Sequence, residues 1–241
     1  MNKLIYPEWT THIEIDVHTF SLYDNIFYAL QKEYGITYNV NPETERCKAM
    51  LWRMKEIFNP QVTHILCRDA DAITTYREAL SVQDWENSGM DVQGIADNPA
   101  HMAGLMGGMI GFKTAFIKER FGWKSWDEML SGATDHFSEH GTDQHFLARV
   151  IYPNVKENMF AYYTSGVQFQ GEARQFSLTH VTELPGVKPA LWESNLTCRH
   201  IGSAGVVDME TIRFFKRFAG EDSFIKEVGA RYPEIFYWTM K

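Results

Sequence analysis

Strand-like and helix-like segments alternate along most of this 241-residue sequence, and this order limits the fold more than any other feature. Apolar or β-branched runs predict strands at 11–17, 62–67, 91–96 and 155–163. Apolar spacing and terminating glycine or proline residues predict helices at 21–34, 43–58, 75–88, 142–151, 208–218 and 223–231. This order favours a mostly parallel central sheet flanked by helices. The length suits a single α/β domain over residues 1–241.

The composition excludes several classes of protein. A hydrophobic fraction of 44% and a charged fraction of 22% are ordinary for a globular chain. The net charge is −8 and the basic residues form no stripe, which argues against a nucleic-acid binder. No apolar stretch approaches the roughly 18 residues of a transmembrane segment. The cysteines Cys47, Cys67 and Cys198 have no CxxC spacing, so we expect reduced thiols in a cytoplasmic protein.

An acidic pair, Asp69 and Asp71, follows the strand predicted at 62–67. Residues two apart in an extended chain face the same side, so both carboxylates can bind one cation. Carboxylate oxygens suit Mn²⁺ and Mg²⁺, and open α/β sheets bind ligands at the carboxyl ends of their strands. The alternative is that both acids are turn and helix-capping residues, because Asp-x-Asp is short and common.

A cation at this position would suit a substrate that carries a diphosphate. It would stabilise the negative charge that develops on a leaving nucleoside diphosphate. Arg68 and Arg77 flank the acidic pair and could bind phosphate oxygens. A surface or helix-face role is the simpler interpretation for either arginine taken alone.

Several blocks in fixed order resemble a family of GT-A-type glycosyltransferases over roughly residues 60–155. The blocks are RDAD at 68–71, REA at 77–79 with Trp85, DNPAH at 97–101, GGMIGFK at 107–113, GTDQHFL at 141–147 and IYP at 151–153. Their order and spacing are far more specific than the acidic pair alone. The remainder of the chain resembles the family only loosely.

The resemblance implies a GT-A fold, which is Rossmann-like, and a hexosyltransferase-like activity. It implies a UDP- or GDP-sugar donor, a Mn²⁺ or Mg²⁺ cofactor and metal ligation by Asp69 and Asp71. It places the glycine-rich strand and the loop with Asp143 and Gln144 near the donor sugar and the acceptor. The acceptor, whether sugar, lipid or protein, is not indicated. The sequence shows no counterpart of the family's usual N-terminal nucleotide-binding strand, so we expect either a true start upstream of Met1 or a shortened relative of the family.

The glycine-rich and Asp143 blocks each have a structural alternative. Gly107 and Gly108 would form a smooth wall against sugar or diphosphate, or would only allow close packing of a helix. Lys113 would meet phosphate, or would be a solvated strand end. Asp143 would stabilise the reacting sugar or act as a base, with Gln144 beside it. The simpler interpretation of Asp143 is a complement to the helix dipole.

Later residues complete the predicted site. GT-A enzymes often supply a third metal ligand late in the chain, and His200 fits that role, with His180 as a weaker substitute. Gly202 would let this loop approach the diphosphate. His101 would contact the donor sugar.

Two other functions are compatible with the sequence. A nucleotidyltransferase also uses paired acids and a metal, but it would normally show a phosphate-binding glycine loop with lysine. A non-catalytic module that binds carbohydrate or a partner protein would retain the fold without the chemistry.

Overall fold

The computed structural model describes residues 6–42, 46–70, 72, 74, 76–96, 103–132, 141–163 and 173–175. The strands are β1 (His12–Asp16), β2 (Thr37–Asn41), β3 (His64–Arg68), β4 (Val92–Ala96), β5 (Met109–Lys113), β6 (Met159–Tyr163) and β7 (Ala173–Gln175). The α-helices are α1 (Val17–Tyr34), α2 (Arg46–Ala49), α3 (Tyr76–Ser88), α4 (Thr114–Phe121), α5 (Trp126–Gly132), α6 (Thr142–Phe146) and α7 (Tyr152–Val155). Two 3₁₀-helices, Trp52–Phe58 and Lys156–Asn158, and one π-helical segment, Leu147–Ile151, complete the described structure.

The larger sheet has five strands in the order β3-β5-β4-β6-β7. β4 pairs in parallel with β6, and β6 with β7, whereas β5 is antiparallel to both β3 and β4. The predicted α/β class is therefore confirmed, with a mixed sheet. Four strands run in one direction, and β5, which lies between β3 and β4, runs in the opposite direction. The finer GT-A or Rossmann-like assignment stays a prediction.

Side chains alternate between two apolar layers, as the period of two in a strand requires. On one face Ile65, Ile110 and Ala161 pack in a cluster with residues of the 3₁₀-helix Trp52–Phe58 and of the helical segments α4 to α7. On the other face Ile95, Phe160 and Tyr162 pack against Val82 and Trp85 of α3. All five residues of β4 are buried, as expected for a strand covered on both faces.

β1 and β2 form a separate parallel pair joined by α1. α1 begins at Val17, before the helix predicted at 21–34, because the Asp16 carboxylate accepts a hydrogen bond from the Thr19 N–H at 2.8 Å and caps its first turn. The helix is kinked at Tyr23, whose φ of −133° is not helical. None of the residues of α1 is buried against the described part of the chain.

The single helix predicted at 43–58 is wrong. In its place α2 is followed by the 3₁₀-helix Trp52–Phe58. Leu51, Met54 and Ile57 are buried and lie three residues apart. Residues three apart align on one face of a 3₁₀-helix, so burial of this stripe favours the tighter form.

The other predicted elements that lie among the described residues agree with the structure within a few residues at their ends. β3, β4 and α3 match their predicted segments, and the helix predicted at 142–151 is described as α6 followed by the π-helical segment. The strand predicted at 155–163 begins only at Met159, because residues 155–158 are helical. The short helices α4 and α5 were not predicted. The helices predicted at 208–218 and 223–231 lie outside the described residues.

The sequence predicts reduced cysteines, and one of them, Cys67, lies among the described residues. Cys67 is a free, buried thiol, and burial raises its pKa to about 12. It is therefore protonated and unreactive at neutral pH.

None of the described helices combines the length and apolar character needed to cross a bilayer.

Candidate functional site

A cleft of about 170 Å³ opens where β3 ends and β5 begins. Its walls come from four separate segments of the chain. The lining residues are Met50, Arg53, Asp69, Met106, Gly107, Gly108, Met109, Gly141, Asp143 and Gln144. Five of the residues predicted as site or cofactor ligands from the sequence therefore share one cleft: Asp69, Gly107, Gly108, Asp143 and Gln144.

Strand register brings Asp69 and Gly108 together. Arg68 of β3 pairs with Met109 of β5 at one end of this antiparallel pair. The next residue on each strand, Asp69 after β3 and Gly108 before β5, therefore lies opposite the other. A methyl group on Gly108 would lie 2.7 Å from Cγ of Asp69. Any larger residue at position 108 would therefore force this carboxylate, whose side chain is 43% exposed in the cleft, to move from its present position.

Asp143 lies across the cleft on α6 and is only 3% exposed. A methyl group on Gly107 would lie 2.8 Å from Oδ2 of Asp143. The other oxygen, Oδ1, is buried and has no hydrogen-bond partner in the described part of the chain. A buried polar atom without a partner costs about 1–3 kcal/mol, so such atoms are uncommon unless a ligand or a functional role accounts for them.

Gln144 fixes the glycine turn against α6. Its amide is satisfied when the side-chain oxygen accepts from the Gly107 N–H at 2.8 Å and the nitrogen donates to the Leu105 carbonyl at 3.2 Å. The amide therefore ties both ends of the turn to the helix that carries Asp143. This role is a positioning one, beside the catalytic role predicted from the sequence.

Arg53 also lines the cleft, although no sequence pattern indicated it. Its Nη1 forms an ion pair with Oδ1 of Asp69 at 2.7 Å, and its Nε donates to the Met50 carbonyl at 2.8 Å. The Asp69 carboxylate is thus bound by the guanidinium of a residue on the 3₁₀-helix Trp52–Phe58. Sixteen positions separate the two residues, so only the tertiary structure reveals the contact.

Arg68, predicted to bind the donor, does not line the cleft. Its Nε is 2.5 Å from Oε1 of Glu78, and Nη1 donates to the carbonyls of Cys67 and Ile110 at 2.7 and 3.0 Å. Burial alone would lower the Arg68 pKa, but the neighbouring Glu78 carboxylate and Tyr6 hydroxyl raise it above its ordinary value. The structure therefore gives this arginine a buried structural partner.

Lys113 is also remote from the cleft. It is the last residue of β5, whereas Gly108 immediately precedes the first. Its Nζ bonds the Gly89 carbonyl at 3.0 Å and Oδ1 of Asp91 at 3.2 Å. This geometry matches the solvated strand end that was the alternative interpretation.

Four predicted site residues lie outside the described residues: Asp71, His101, His200 and Gly202. Arg77 belongs to α3, but its side chain is likewise not described. Of the three metal ligands predicted from the sequence, Asp69 is therefore the one that lies among the described residues.

The described residues of the cleft include oxygen donors of the kind that a hard divalent cation would take. Carboxylates from two segments face the glycine turn, and the absence of side chains at Gly107 and Gly108 lets both carboxylates approach it closely. Oxygen donors of this kind suit Mn²⁺ and Mg²⁺. Asp69, as the more exposed carboxylate, would be the ligand on this wall.

A second group with metal-ligating atoms lies away from the cleft and was not singled out from the sequence. Nε2 of His12 lies 3.4 Å from Oε1 of Glu14 and 3.5 Å from Oε1 of Glu56. Asn39 donates to the same two glutamate oxygens, at 3.1 and 3.3 Å. Burial alone would raise the Glu14 pKa, but the neighbouring His12 and hydrogen bonds from Asn41 and Asn39 outweigh it and lower that pKa. The two asparagines thus satisfy the Glu14 carboxylate, whereas the buried Nε2 of His12 has no hydrogen-bond partner in the described part of the chain.

Comparisons with known proteins leave the function open. Protein-family models, curated proteins and solved structures were all searched, and none matches this chain.

Proposed function

We propose that this protein transfers a glycosyl group from a nucleotide-sugar, with a divalent cation held by Asp69. One observation carries the proposal. Asp69, the Gly107–Gly108 turn and the Asp143–Gln144 pair come from three distant segments and line the same cleft. These segments hold three of the sequence blocks that resemble GT-A glycosyltransferases, so the blocks coincide in space as well as in order.

The residues of the cleft have distinct roles in this proposal. A divalent cation, when bound, supplies charge stabilisation to the diphosphate leaving group. Asp69 holds that cation at the end of β3, and Gly108 leaves the space in which the carboxylate stands. The glycine turn lets the diphosphate and sugar approach the backbone closely.

Asp143 would act on the sugar or the acceptor. Its carboxylate is buried beside the glycine turn and keeps one oxygen without a partner in the described structure. Its other oxygen, Oδ2, faces the glycine turn, where it would accept a hydrogen bond from a substrate hydroxyl, and the carboxylate charge would stabilise positive charge on the reacting sugar. Gln144 holds the turn at the correct distance.

A non-catalytic sugar-binding or partner-binding role is the second candidate. The ion pair between Arg53 and Asp69 favours it, because a guanidinium already neutralises the carboxylate that the cation would need. In that case the cleft would bind carbohydrate through Asp143 and Gln144 without nucleotide or metal.

Calorimetric titration with UDP- and GDP-sugars, with and without Mn²⁺, separates the two candidates. We expect nucleotide-sugar binding that requires Mn²⁺, together with slow release of nucleoside diphosphate. Binding of free sugars that is indifferent to both nucleotide and Mn²⁺ would establish the second candidate and end the first.

Asp143→Asn is expected to lower turnover by about 100-fold while donor affinity changes less than about threefold. The substitution keeps the size of the side chain but removes the charge that acts on the sugar. Its thermal stability should not fall, because the buried Oδ1 of Asp143 forms no hydrogen bond that asparagine would lose. Steady-state kinetics, calorimetry and thermal melts check the three expectations. Asp127→Asn, an exposed change in α5, is the control, and wild-type turnover in Asp143→Asn would remove this residue from the site.

Gly108→Ala is expected to abolish Mn²⁺-dependent donor binding. The added methyl carbon would lie 2.7 Å from Cγ of Asp69, so the carboxylate must move. Gly132→Ala is the matched control, because its methyl carbon would make an ordinary contact of 3.6 Å with Trp123. Donor affinity is measured by titration for both variants. Equal affinity in the two would show that the position of Asp69 does not matter for binding.

A further inference from the structure

Arg53 is anchored so that its guanidinium reaches into the cleft. The side chain is 19% exposed, and its Nε is fixed by the Met50 carbonyl at 2.8 Å. Its Nη1 contacts Oδ1 of Asp69 at 2.7 Å. Among the described residues that line the cleft, Arg53 is the only one with a positive charge.

The same guanidinium lies close to the second carboxylate of the site. A methyl carbon on Gly107 would be 3.4 Å from Nη1 of Arg53 and 2.8 Å from Oδ2 of Asp143. The guanidinium and Asp143 therefore border one small space at the glycine turn. The proposed function places the diphosphate and sugar in the cleft that opens beside this turn.

Arg53 and a divalent cation must compete for Asp69. The carboxylate is partly exposed, and ion pairs of such groups are weak because water screens them. A cation of charge two can therefore displace the guanidinium. The released guanidinium stays tethered beside the cleft by the Met50 carbonyl, and its planar array of donors matches phosphate oxygens.

We propose that Arg53 is the resident counter-ion of Asp69 and becomes a diphosphate ligand when a divalent cation takes its place. The inference rests on the proposed function and adds a residue that selects for anionic donors. It requires two opposite effects from one substitution. Loss of the guanidinium should strengthen binding of the cation alone and weaken binding of diphosphate.

The test uses Mn²⁺ alone, followed by inorganic pyrophosphate and UDP at saturating Mn²⁺. Free Mn²⁺ is measured by its electron paramagnetic resonance signal. Arg53→Gln and Arg53→Met, which keeps the aliphatic stem, should bind Mn²⁺ about three- to fivefold more tightly than wild type, the scale of a partly exposed ion pair. Both should bind pyrophosphate and UDP at least about tenfold more weakly, the scale of a hydrogen bond to a charged group. Arg53→Lys should stay within about twofold of wild type for Mn²⁺.

Two controls exclude other causes. Arg120→Gln removes the same charge far along the chain, where Arg120 donates to the Asn154 carbonyl at 2.7 Å, and should change neither affinity. Repeating each Mn²⁺ titration in a Glu56→Gln background removes binding by the His12, Glu14 and Glu56 group. Circular dichroism confirms that every variant is folded.

The outcomes separate this inference from the function on which it rests. If Asp69→Asn loses Mn²⁺ binding but Arg53→Gln binds Mn²⁺ no more tightly than Arg120→Gln, the counter-ion role is wrong and the proposed function survives. If Arg53→Gln binds Mn²⁺ more tightly but binds pyrophosphate and UDP as well as wild type does, Arg53 is not a diphosphate ligand. If wild type binds no Mn²⁺ at all, both the proposed function and this inference fall.

Discussion

Asp69→Asn is expected to lower turnover of a nucleotide-sugar by about 1,000-fold and to abolish the Mn²⁺ dependence of donor binding. Asparagine keeps the shape of the side chain and loses the charge that holds the cation. It also loses the ion pair with Arg53, which is partly exposed and contributes little to stability. The melting temperature should therefore change little. Steady-state kinetics and Mn²⁺ titration measure the effect.

Asp91→Asn is the matched control for this change. Asp91 also forms an ion pair, with Lys113 at 3.2 Å, but it lies at the far end of β5 from the cleft. Its turnover should equal that of wild type. Full activity in Asp69→Asn would show that the acidic residue at the end of β3 binds no catalytic cation, and the whole site assignment would fail.

Glu78→Gln is expected to destabilise the protein by about 3–5 kcal/mol, because it leaves a buried guanidinium without its counter-ion. Glu78 is 2% exposed, its Oε1 accepts from Nε of Arg68 at 2.5 Å, and Tyr6 donates to the same oxygen at 3.2 Å. Burial, followed by the Glu78 carboxylate, raises the Tyr6 pKa well above 10.0. The Glu78 carboxylate on α3 thus links Tyr6, before β1, to Arg68 of β3.

Urea unfolding of Glu78→Gln and of Glu86→Gln measures this difference. Glu86 lies on the same helix, α3, but is exposed, so its replacement should change the free energy of unfolding by less than about 0.5 kcal/mol. Equal stability of the two variants would show that Arg68 does not depend on Glu78. It would also reopen a phosphate-binding role for Arg68.

The acidic residue and the glycine turn were predictable because their signals are local. A buried strand followed by Asp69 places a carboxylate at a strand end, whatever the rest of the fold does. The glycines before β5 indicated a close approach, and the structure shows that the approaching groups are Asp69 and Asp143. Which groups would approach depends on strand register and on the path of α6.

The two arginines show why the remainder was not predictable. Arg68 adjoins Asp69 in sequence, which suggested a shared site, but adjacent residues in a strand face opposite sides of the sheet. Its side chain therefore pairs with Glu78 on α3. Arg53 is distant in sequence and occupies the cleft, because the 3₁₀-helix that carries it packs beside β3.

The sequence by itself determined the α/β class, most of the strands and longer helices, and a carboxylate at the end of β3. These properties follow from periods of two and 3.6 residues and from terminating residues, which act within a few positions. Only the tertiary structure decided that β5 lies reversed between β3 and β4, that Gly108 faces Asp69, and that Arg53 reaches the cleft. Strand register and burial set these contacts between residues far apart in sequence, and no local pattern carries that information.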